Sequence, residues 1–357
     1  KEDDTTNENY QIRLSSGDLL FQTQNDARTG ASTQFKIAAS GAVSTPTLGT
    51  SNTRLGVNAG DAIQSGGQYN VFIGDEAGTA ITTGDNNVAV GYAALKTEDG
   101  NGYNVAIGVG ALENMNAGAD AYTVAVGHNA GNDVTTGLYN TFVGAMSGDA
   151  ITDADYNTAL GNGSLGADTK GSKATAIGYQ ALGTQNFTTA TDSHNTAVGY
   201  NSGLSVTTGT NNTLVGSGAG DALTTGTQNT AIGGFALTAD DVGLYSVAVG
   251  WGALQVQNYA TATNSYNVAV GYNAGAAVTT STKNNFIGGL SGDAITEGSQ
   301  NVALGTETLS SDTLGSRSVA IGQGALFAQN FTTATNALNT AVGYEAGNDI
   351  TTGFQNC

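Results

Sequence analysis

A five-residue motif recurs along most of this 357-residue chain, and it limits the possible folds more than any other feature. The motif reads approximately Asn-(Val/Thr)-Ala-(Val/Ile/Leu)-Gly and occurs 17 times. From Gly127 onward the closing glycines are separated by 17, 17, 17 and 21 residues, and this series repeats, so the larger unit spans 72 residues and four motifs. A short fixed period is typical of solenoid proteins. The closing glycines are Gly56, Gly74, Gly91, Gly108, Gly127, Gly144, Gly161, Gly178, Gly199, Gly216, Gly233, Gly250, Gly271, Gly288, Gly305, Gly322 and Gly343.

Each column of the motif has its own chemistry, which predicts a short β-strand. The residue before the glycine is Val, Ile or Leu in every copy, and we predict that this column forms a buried apolar stack. Two positions earlier, on the same face of an extended strand, stands Val or Thr, with Asn285 as the exception. The intervening residue is usually Ala, and we expect this opposite face to pack against a neighbouring chain. Larger residues mark layers of that face once per 72-residue unit, at Phe72, Phe142, Leu214 and Phe286.

These columns predict an all-β fold, a parallel β-solenoid of the β-roll or narrow β-helix type with 17-residue coils. Helix is disfavoured because glycine occurs 53 times and no helical apolar period continues between coils. In two of the four coil types, segments such as Val206-Thr207-Thr208-Gly209 predict a second short strand that ends in a turn. We expect the solenoid to cover residues 51–357 and to continue beyond residue 357.

The first 50 residues lie outside the repeat and predict a separate β module that caps the solenoid or connects it to a shaft. Short apolar runs at 11–14, 19–22 and 34–37 are separated by Ser-Gly, Asn-Asp and Gly-rich segments, a pattern typical of strands joined by turns. A thin roll buries little surface per chain, so the sequence also predicts a homo-oligomer.

Charge and composition exclude several classes of partner. The net charge is −19 and only ten residues are Lys or Arg, which argues against nucleic acid and anionic membrane surfaces. No run of about 18 apolar residues is present, so we predict no membrane insertion by this segment. Cys357 is the single cysteine and cannot form a disulfide within the chain.

Few residues suggest chemistry, and we predict that the protein is not an enzyme. Nucleophilic catalysis needs a base, and the two histidines, His128 and His194, stand within the repeat. Asp149, Asp221 and Asp293 recur every 72 residues. Such carboxylates could hold Ca²⁺, but Asp after Gly is also a common turn residue. We predict no metal and no cofactor.

The four-residue insertion in every fourth coil is the best candidate for binding. Its aromatic residue is Phe187, Tyr259 or Phe331, flanked by amide and hydroxyl side chains that could help it stack on a sugar of a cell-surface glycan or receptor. The alternative is that the ring folds back over its own coil or packs on a neighbouring chain. The aromatic column that begins at Tyr92, directly after the closing glycine, has the same two interpretations.

The motif cores resemble known repeat families. Ser318-Val319-Ala320-Ile321-Gly322 and Ser246-Val247-Ala248-Val249-Gly250 resemble the head repeats of trimeric autotransporter adhesins, although those heads have a shorter coil. Longer phrases such as Asn195-Thr196-Ala197-Val198-Gly199-Tyr200-Asn201-Ser202-Gly203 are more similar to repeat-rich tail-fibre proteins of marine bacteriophages, as is the segment 35–43 to phage fibre shafts. The adhesin resemblance implies a β-roll in a homotrimer.

The sequence therefore favours a structural or adhesion protein. The leading hypothesis is a phage tail fibre or virion appendage that spaces or displays host-receptor binding. The alternative is a bacterial cell-surface adhesin or extracellular filament subunit. A polysaccharide-degrading tailspike is disfavoured because no irregular pair of acidic residues interrupts the repeat. Either favoured hypothesis places the protein on a virion or at the cell surface.

Overall fold

The computed structural model describes residues 9–24, 31–37, 43–44, 49 and 51–357, and none of these residues is helical. The chain divides into two units, residues 1–123 and residues 124–357. The repeat forms a parallel β-solenoid of about 17 turns, which confirms the fold predicted from the periodicity.

The N-terminal strands form a four-stranded antiparallel sheet in chain order. Phe21 and Phe35 meet edge to face across this sheet, with ring centroids 5.5 Å apart. The strands predicted at 11–14, 19–22 and 34–37 all lie within it, so their prediction is confirmed. The strands are Asn9–Ser15, Asp18–Gln24, Ala31–Ile37 and Val43–Ser44.

Each motif forms a three-residue core strand, and within each unit successive core strands pair parallel and in register. Phe142, for example, lies between Ala125 and Ala159 of the neighbouring coils. The first unit has the core strands Thr53–Leu55, Val71–Ile73, Val88–Val90 and Val105–Ile107. The second has Val124–Val126, Thr141–Val143, Thr158–Leu160, Thr175–Ile177, Thr196–Val198, Thr213–Val215, Thr230–Ile232, Val247–Val249, Val268–Val270, Asn285–Ile287, Val302–Leu304, Val319–Ile321 and Thr340–Val342.

Among the described residues of the repeat, second strands occur where an insertion coil pairs with the 17-residue coil before it. They are two residues long and form three parallel pairs: Gly171–Ser172 with Thr191–Asp192, Gly243–Leu244 with Thr263–Asn264, and Gly315–Ser316 with Thr335–Asn336. The second strand predicted for the Thr-Thr-Gly segments was wrong, since Thr207 and Thr208 form a bend. The Thr207 hydroxyl donates to the carbonyl oxygen of Thr224 in the next coil at 3.1 Å, so the coils are joined here without a strand ladder.

The two faces of the core strands are the reverse of the prediction. The middle residue, Ala or a larger apolar residue, points into the coil and is buried in every core strand after the first. Phe72, Phe142, Leu214 and Phe286 are fully buried inside their own coils and do not meet another chain. No member of the Val, Ile or Leu column is buried, so this column is not an internal stack and instead faces outward.

The interior is filled by matching large residues with small ones. Phe142 occupies space beside Gly148, where an added Cβ would lie 2.4 Å from the ring. In most coils that carry Ala in the strand, a buried leucine such as Leu165 fills the corresponding space. Other Ala coils carry glycine there, and the large strand residue of the next coil fills the space: an added Cβ at Gly275 would lie 2.8 Å from the Phe286 ring. Close packing tolerates neither a void nor an overlap, so each strand residue is matched in size to residues of its own coil and of the adjacent coil.

A ladder of asparagine side chains runs through the coils and pairs their buried backbone groups. Asn229 Nδ2 donates to the carbonyl oxygen of Gly243 at 2.8 Å, and Asn229 Oδ1 accepts from the backbone N–H of Ser246 in the next coil at 2.9 Å. Asn212 makes the same two bonds one coil earlier. Since unpaired buried polar groups are costly, the first residue of the motif is asparagine for a structural reason that sequence analysis missed.

The closing glycines allow the coils to approach closely. Gly288 has φ of +135°, and an added Cβ would lie 2.3 Å from the carbonyl oxygen of Gly305 in the next coil. No other residue fits this position without separating the two coils.

Candidate interaction surfaces

The outward side of the core strands forms an apolar surface that recurs in every coil. We call it the aliphatic face: the first and third residues of every core strand, which are Val or Thr and Val, Ile or Leu respectively. Exposed members within the stack of coils include Leu160 at 48%, Ile287 at 41% and Leu304 at 42%. With Asn285 as the single amide, the aliphatic face carries no charged side chain, although the whole chain has a net charge of −19.

Aromatic residues form rows on two further surfaces of the coils. One row lies directly before the motif, where the backbone has positive φ, as at Tyr139 (58°) and Tyr156 (60°). The other lies directly after the closing glycine and includes Tyr179, Tyr200 and Trp251. In both rows, rings from successive coils stack.

Stacking covers one face of each ring in a pair. Tyr139 and Tyr156 have centroids 5.1 Å apart and planes 4° apart. Trp251 stacks on Tyr272 at 5.4 Å and 15°, and Phe235 meets Trp251 edge to face. Rings of the after-glycine column therefore pack on one another between coils, yet Tyr272 is still 57% exposed and Tyr92 is 52% exposed. Both interpretations of this column stay predictions.

The predicted binding residues of the insertions are buried. Phe187, Tyr259 and Phe331 are only 5%, 4% and 6% exposed. Tyr259 Oη donates to the carbonyl oxygen of Ser281 at 2.6 Å, and burial raises the pKa of this phenol above its ordinary value. The Phe187 ring lies against the preceding coil, where an added Cβ at Gly171 would be 2.7 Å from it. The three rings are therefore packed among the coils, and little of each ring is accessible.

Each insertion is fixed by a buried polar relay. Asp240 accepts from the backbone N–H of Gly243 at 2.8 Å and from Gln257 Nε2 at 2.6 Å. Gln257 Oε1 in turn accepts from Asn267 Nδ2 at 2.8 Å. Burial raises the pKa of Asp240, while the hydrogen bond from Gln257 opposes that rise. The same relay occurs at Asp168 and Asp312, so it belongs to the architecture of the insertion.

The repeated aspartates lie four coils apart with other residues between them. Asp293 accepts from the Ser310 hydroxyl at 2.5 Å, and Asp221 accepts from the Thr238 hydroxyl. Among the residues that the structure describes, no group of three or more His, Cys, Asp or Glu side chains could hold a metal ion. Partial burial raises the pKa of Asp149 and of Asp293.

The two histidines do not meet. His128 follows the closing glycine Gly127, whereas His194 precedes Asn195 in a different column, four coils further along the chain. They therefore form no common site.

Comparisons with known proteins give no relative for this chain. No family model, no curated protein and no solved structure matches it. Within the described ranges, no helix is long and apolar enough to cross a membrane. The function is therefore inferred from the geometry of the coils alone.

Proposed function

We propose that this protein is the shaft of a homotrimeric fibre, a phage tail fibre or similar virion appendage that spaces or displays a receptor-binding element. The observation that carries the proposal is the aliphatic face, which is uncharged and unpartnered along every coil. The solenoid coils supply length and stiffness, and the aliphatic face supplies the contact between chains.

The aliphatic face is a long apolar stripe, and a partner of similar length is needed to bury it. Soluble monomers rarely expose large contiguous apolar patches, because such patches lower free energy by becoming buried. In residues 124–357 the stripe runs over thirteen coils, about 60 Å at the spacing of parallel strands. A second and a third copy of the same chain have the same length and the same repeat period, because their sequences are identical.

The absence of charge on the aliphatic face reduces the electrostatic cost of association between identical copies. Each chain carries a net charge of −19, so association of copies is opposed by repulsion wherever their charges approach. The aliphatic face has no charged residue. Arg54, in the first core strand, belongs to the middle column and not to this face. Docking along this face keeps the carboxylates of neighbouring chains apart.

Oligomeric state tests the proposed trimer. Sedimentation equilibrium of the whole chain should give three times the monomer mass of 35.6 kDa. Ile287→Asp, on the aliphatic face, should shift the protein to monomers because it places a carboxylate in the contact. Val256→Asp is a matched control, since Val256 is 43% exposed and lies outside the aliphatic face, and it should leave the trimer intact.

A wild-type monomer at micromolar concentration would contradict the proposal, as would equal effects of the two aspartate variants. Circular dichroism of each variant establishes that the coils remain folded. Electron microscopy with a labelled antibody then identifies the location. Labelling along an appendage of a phage particle supports the virion proposal, whereas labelling of the bacterial cell surface supports an adhesin or filament.

A further inference from the structure

Eight of the 14 tyrosines form stacked pairs on the surface of successive coils. The pairs have centroid distances of 4.9 to 5.4 Å and interplanar angles of 4° to 15°. Their rings are substantially exposed, for example 45% for Tyr139 and 55% for Tyr156. The pairs are Tyr103–Tyr122, Tyr139–Tyr156, Tyr179–Tyr200 and Tyr245–Tyr266.

The hydroxyl groups of the stacked tyrosines are not needed for the folding stability of one chain. A stack gains from ring contact, which phenylalanine would supply equally, and exposed hydroxyls already have water as a partner. Three of the four pairs lie directly before the motif, where other coils place Asn211, Gln228 or Lys283 with the same positive φ. At these three pairs the phenols are therefore a chemical feature added to a tolerant position.

We propose that the stacked pairs are sites of oxidative cross-linking, in which two tyrosines of successive coils join as dityrosine. The reaction requires a one-electron oxidant, such as a peroxidase intermediate or a photo-excited metal complex. It goes beyond the proposed fibre function, because it concerns covalent reinforcement of a single chain whatever its location or oligomeric state.

The cross-linking step balances as a loss of two electrons and two protons. Each phenol gives one electron to the oxidant and one proton to water, which leaves two phenoxyl radicals. The radicals couple through a new carbon–carbon bond between the ring positions next to the hydroxyls. Each of these carbons then loses its hydrogen as a proton while the two oxygens are protonated, which restores both aromatic rings.

Geometry favours coupling within a pair over coupling between random tyrosines. Because the two rings of a pair are nearly parallel, their equivalent carbons are separated by about the centroid distance, about 5 Å. Exposed side chains change rotamer in picoseconds to nanoseconds, so the rings can tilt into contact during the lifetime of a radical. Holding two reactants side by side raises their effective concentration far above that of separate molecules.

Four tyrosines provide internal contrasts. Tyr92 is 52% exposed, Tyr69 is 58% exposed and Tyr344 is 70% exposed, and among the described residues none of them stacks on another tyrosine. Tyr272 is 57% exposed but stacks on Trp251. Exposure alone would make these four react as readily as the paired residues.

Brief photo-oxidation of the full chain with a ruthenium tris-bipyridine complex and persulfate tests the proposal. Dityrosine fluorescence should appear without a change of mass on a denaturing gel, at a rate per molecule that does not depend on protein concentration. Mass spectrometry of digests should identify peptides joined with the loss of two hydrogens at the four stacked pairs. Tyr266→Phe should remove the Tyr245–Tyr266 link and about one quarter of the fluorescence, since one pair of four is lost.

Tyr92→Phe is the matched control and should leave the fluorescence unchanged. Both substitutions keep the aromatic ring, so neither should unfold the coils. Links at Tyr69, Tyr92 and Tyr344 in proportion to their exposure would overturn the proposal. So would a yield that rises with protein concentration, because that result assigns the links to collisions between molecules.

Discussion

The inward and outward sides of the core strands have similar hydrophobicity but opposite constraints. Inside, Phe286 is fully buried and its size matches the space left in its coil. Outside, the adjacent Ile287 is 41% exposed, and its column accepts Val, Ile or Leu in any coil. The inner column ranges from Ala to Phe according to the space inside the coils, whereas the outer column keeps a similar size although one chain leaves it partly exposed. The inner side is therefore fixed by the chain's own packing, and the outer side is available to a partner.

The largest contrast is expected at two adjacent glycines. Gly288→Ala should disrupt the stack of coils, because its φ is +135° and the new Cβ would lie 2.3 Å from the carbonyl oxygen of Gly305. Gly289→Ala should be tolerated, since nothing lies within 4 Å of its added Cβ. We expect a loss of more than about 4 kcal/mol for the first and a change of less than about 1 kcal/mol for the second.

Urea denaturation followed by circular dichroism measures both glycine variants. Similar stabilities would contradict the close approach of the coils at Gly288. Because long repeat arrays can unfold in parts, the comparison should be made at the first transition as well as the last.

A second contrast compares the interior with the aliphatic face. Phe286→Ala should cost about 3 to 5 kcal/mol, because it leaves a cavity in a closely packed coil. Ile287→Ala should cost less than about 1.5 kcal/mol in the monomer, since its side chain is already 41% exposed.

Measuring the stability of Ile287→Ala and Phe286→Ala at several protein concentrations separates the two faces further. If the aliphatic face joins copies, the effect of Ile287→Ala should grow as the chain associates, whereas the effect of Phe286→Ala should be the same at every concentration. Equal costs in the monomer would show that the two faces had been assigned wrongly.

A third contrast concerns the asparagine ladder. Asn229→Ala should cost about 1 to 3 kcal/mol, because it leaves the backbone N–H of Ser246 and the carbonyl oxygen of Gly243 without their buried partner. Thr225→Ala, at an exposed position of the same coil, should change stability by less than about 0.5 kcal/mol. Hydrogen exchange should show faster exchange of the Ser246 amide in Asn229→Ala alone; unchanged protection would contradict the ladder.

Periodicity predicted the solenoid because a repeated backbone path must place equivalent residues in columns. It could not by itself orient the strands, since both faces are apolar and alternation distinguishes only polar from apolar sides. The signal that could orient them is the match of sizes inside the coils. Phe286 occurs in the coil that carries Gly292, whereas most coils with Ala in the strand carry Leu at that place. Ala269 with Gly275 departs from this rule because the Phe286 ring of the next coil fills the space beside Gly275, so the match is visible only when adjacent coils are compared.

The insertions show why the candidate binding residues were harder to predict. Their sequence is polar around one aromatic ring, as in a surface loop, and only the structure shows Asp168, Gln185 and Asn195 joined in a buried relay. Phe187 is covered because its backbone N–H also bonds to Asp168, at 3.1 Å. Bonds between residues 10 to 19 positions apart cannot be identified from local composition.

The smallest expected effect is a rise in stability on mild acidification. Burial raises the pKa of Asp149, Asp240 and Asp293, with Asp133 and Glu307 adding to the rise at the first and last of these. A raised pKa in the folded state means that the folded chain binds protons more tightly than the unfolded chain. The stabilisation is therefore complete below the ordinary aspartate pKa and is lost as pH rises through the raised values.

The melting temperature should accordingly increase as pH is lowered from neutral toward the ordinary aspartate range, by an amount equivalent to about 1 kcal/mol or less. Asp293→Asn should reduce this increase, because the amide oxygen can still accept from the Ser310 hydroxyl while the side chain no longer titrates. A melting temperature that falls steadily over the same interval would show that other carboxylates, ionised and paired in the folded chain, outweigh the three buried ones. In that case the partly buried aspartates would affect stability no more than exposed carboxylates do. The inner and outer sides of the coil would then differ in how their side chains pack and not in how they titrate.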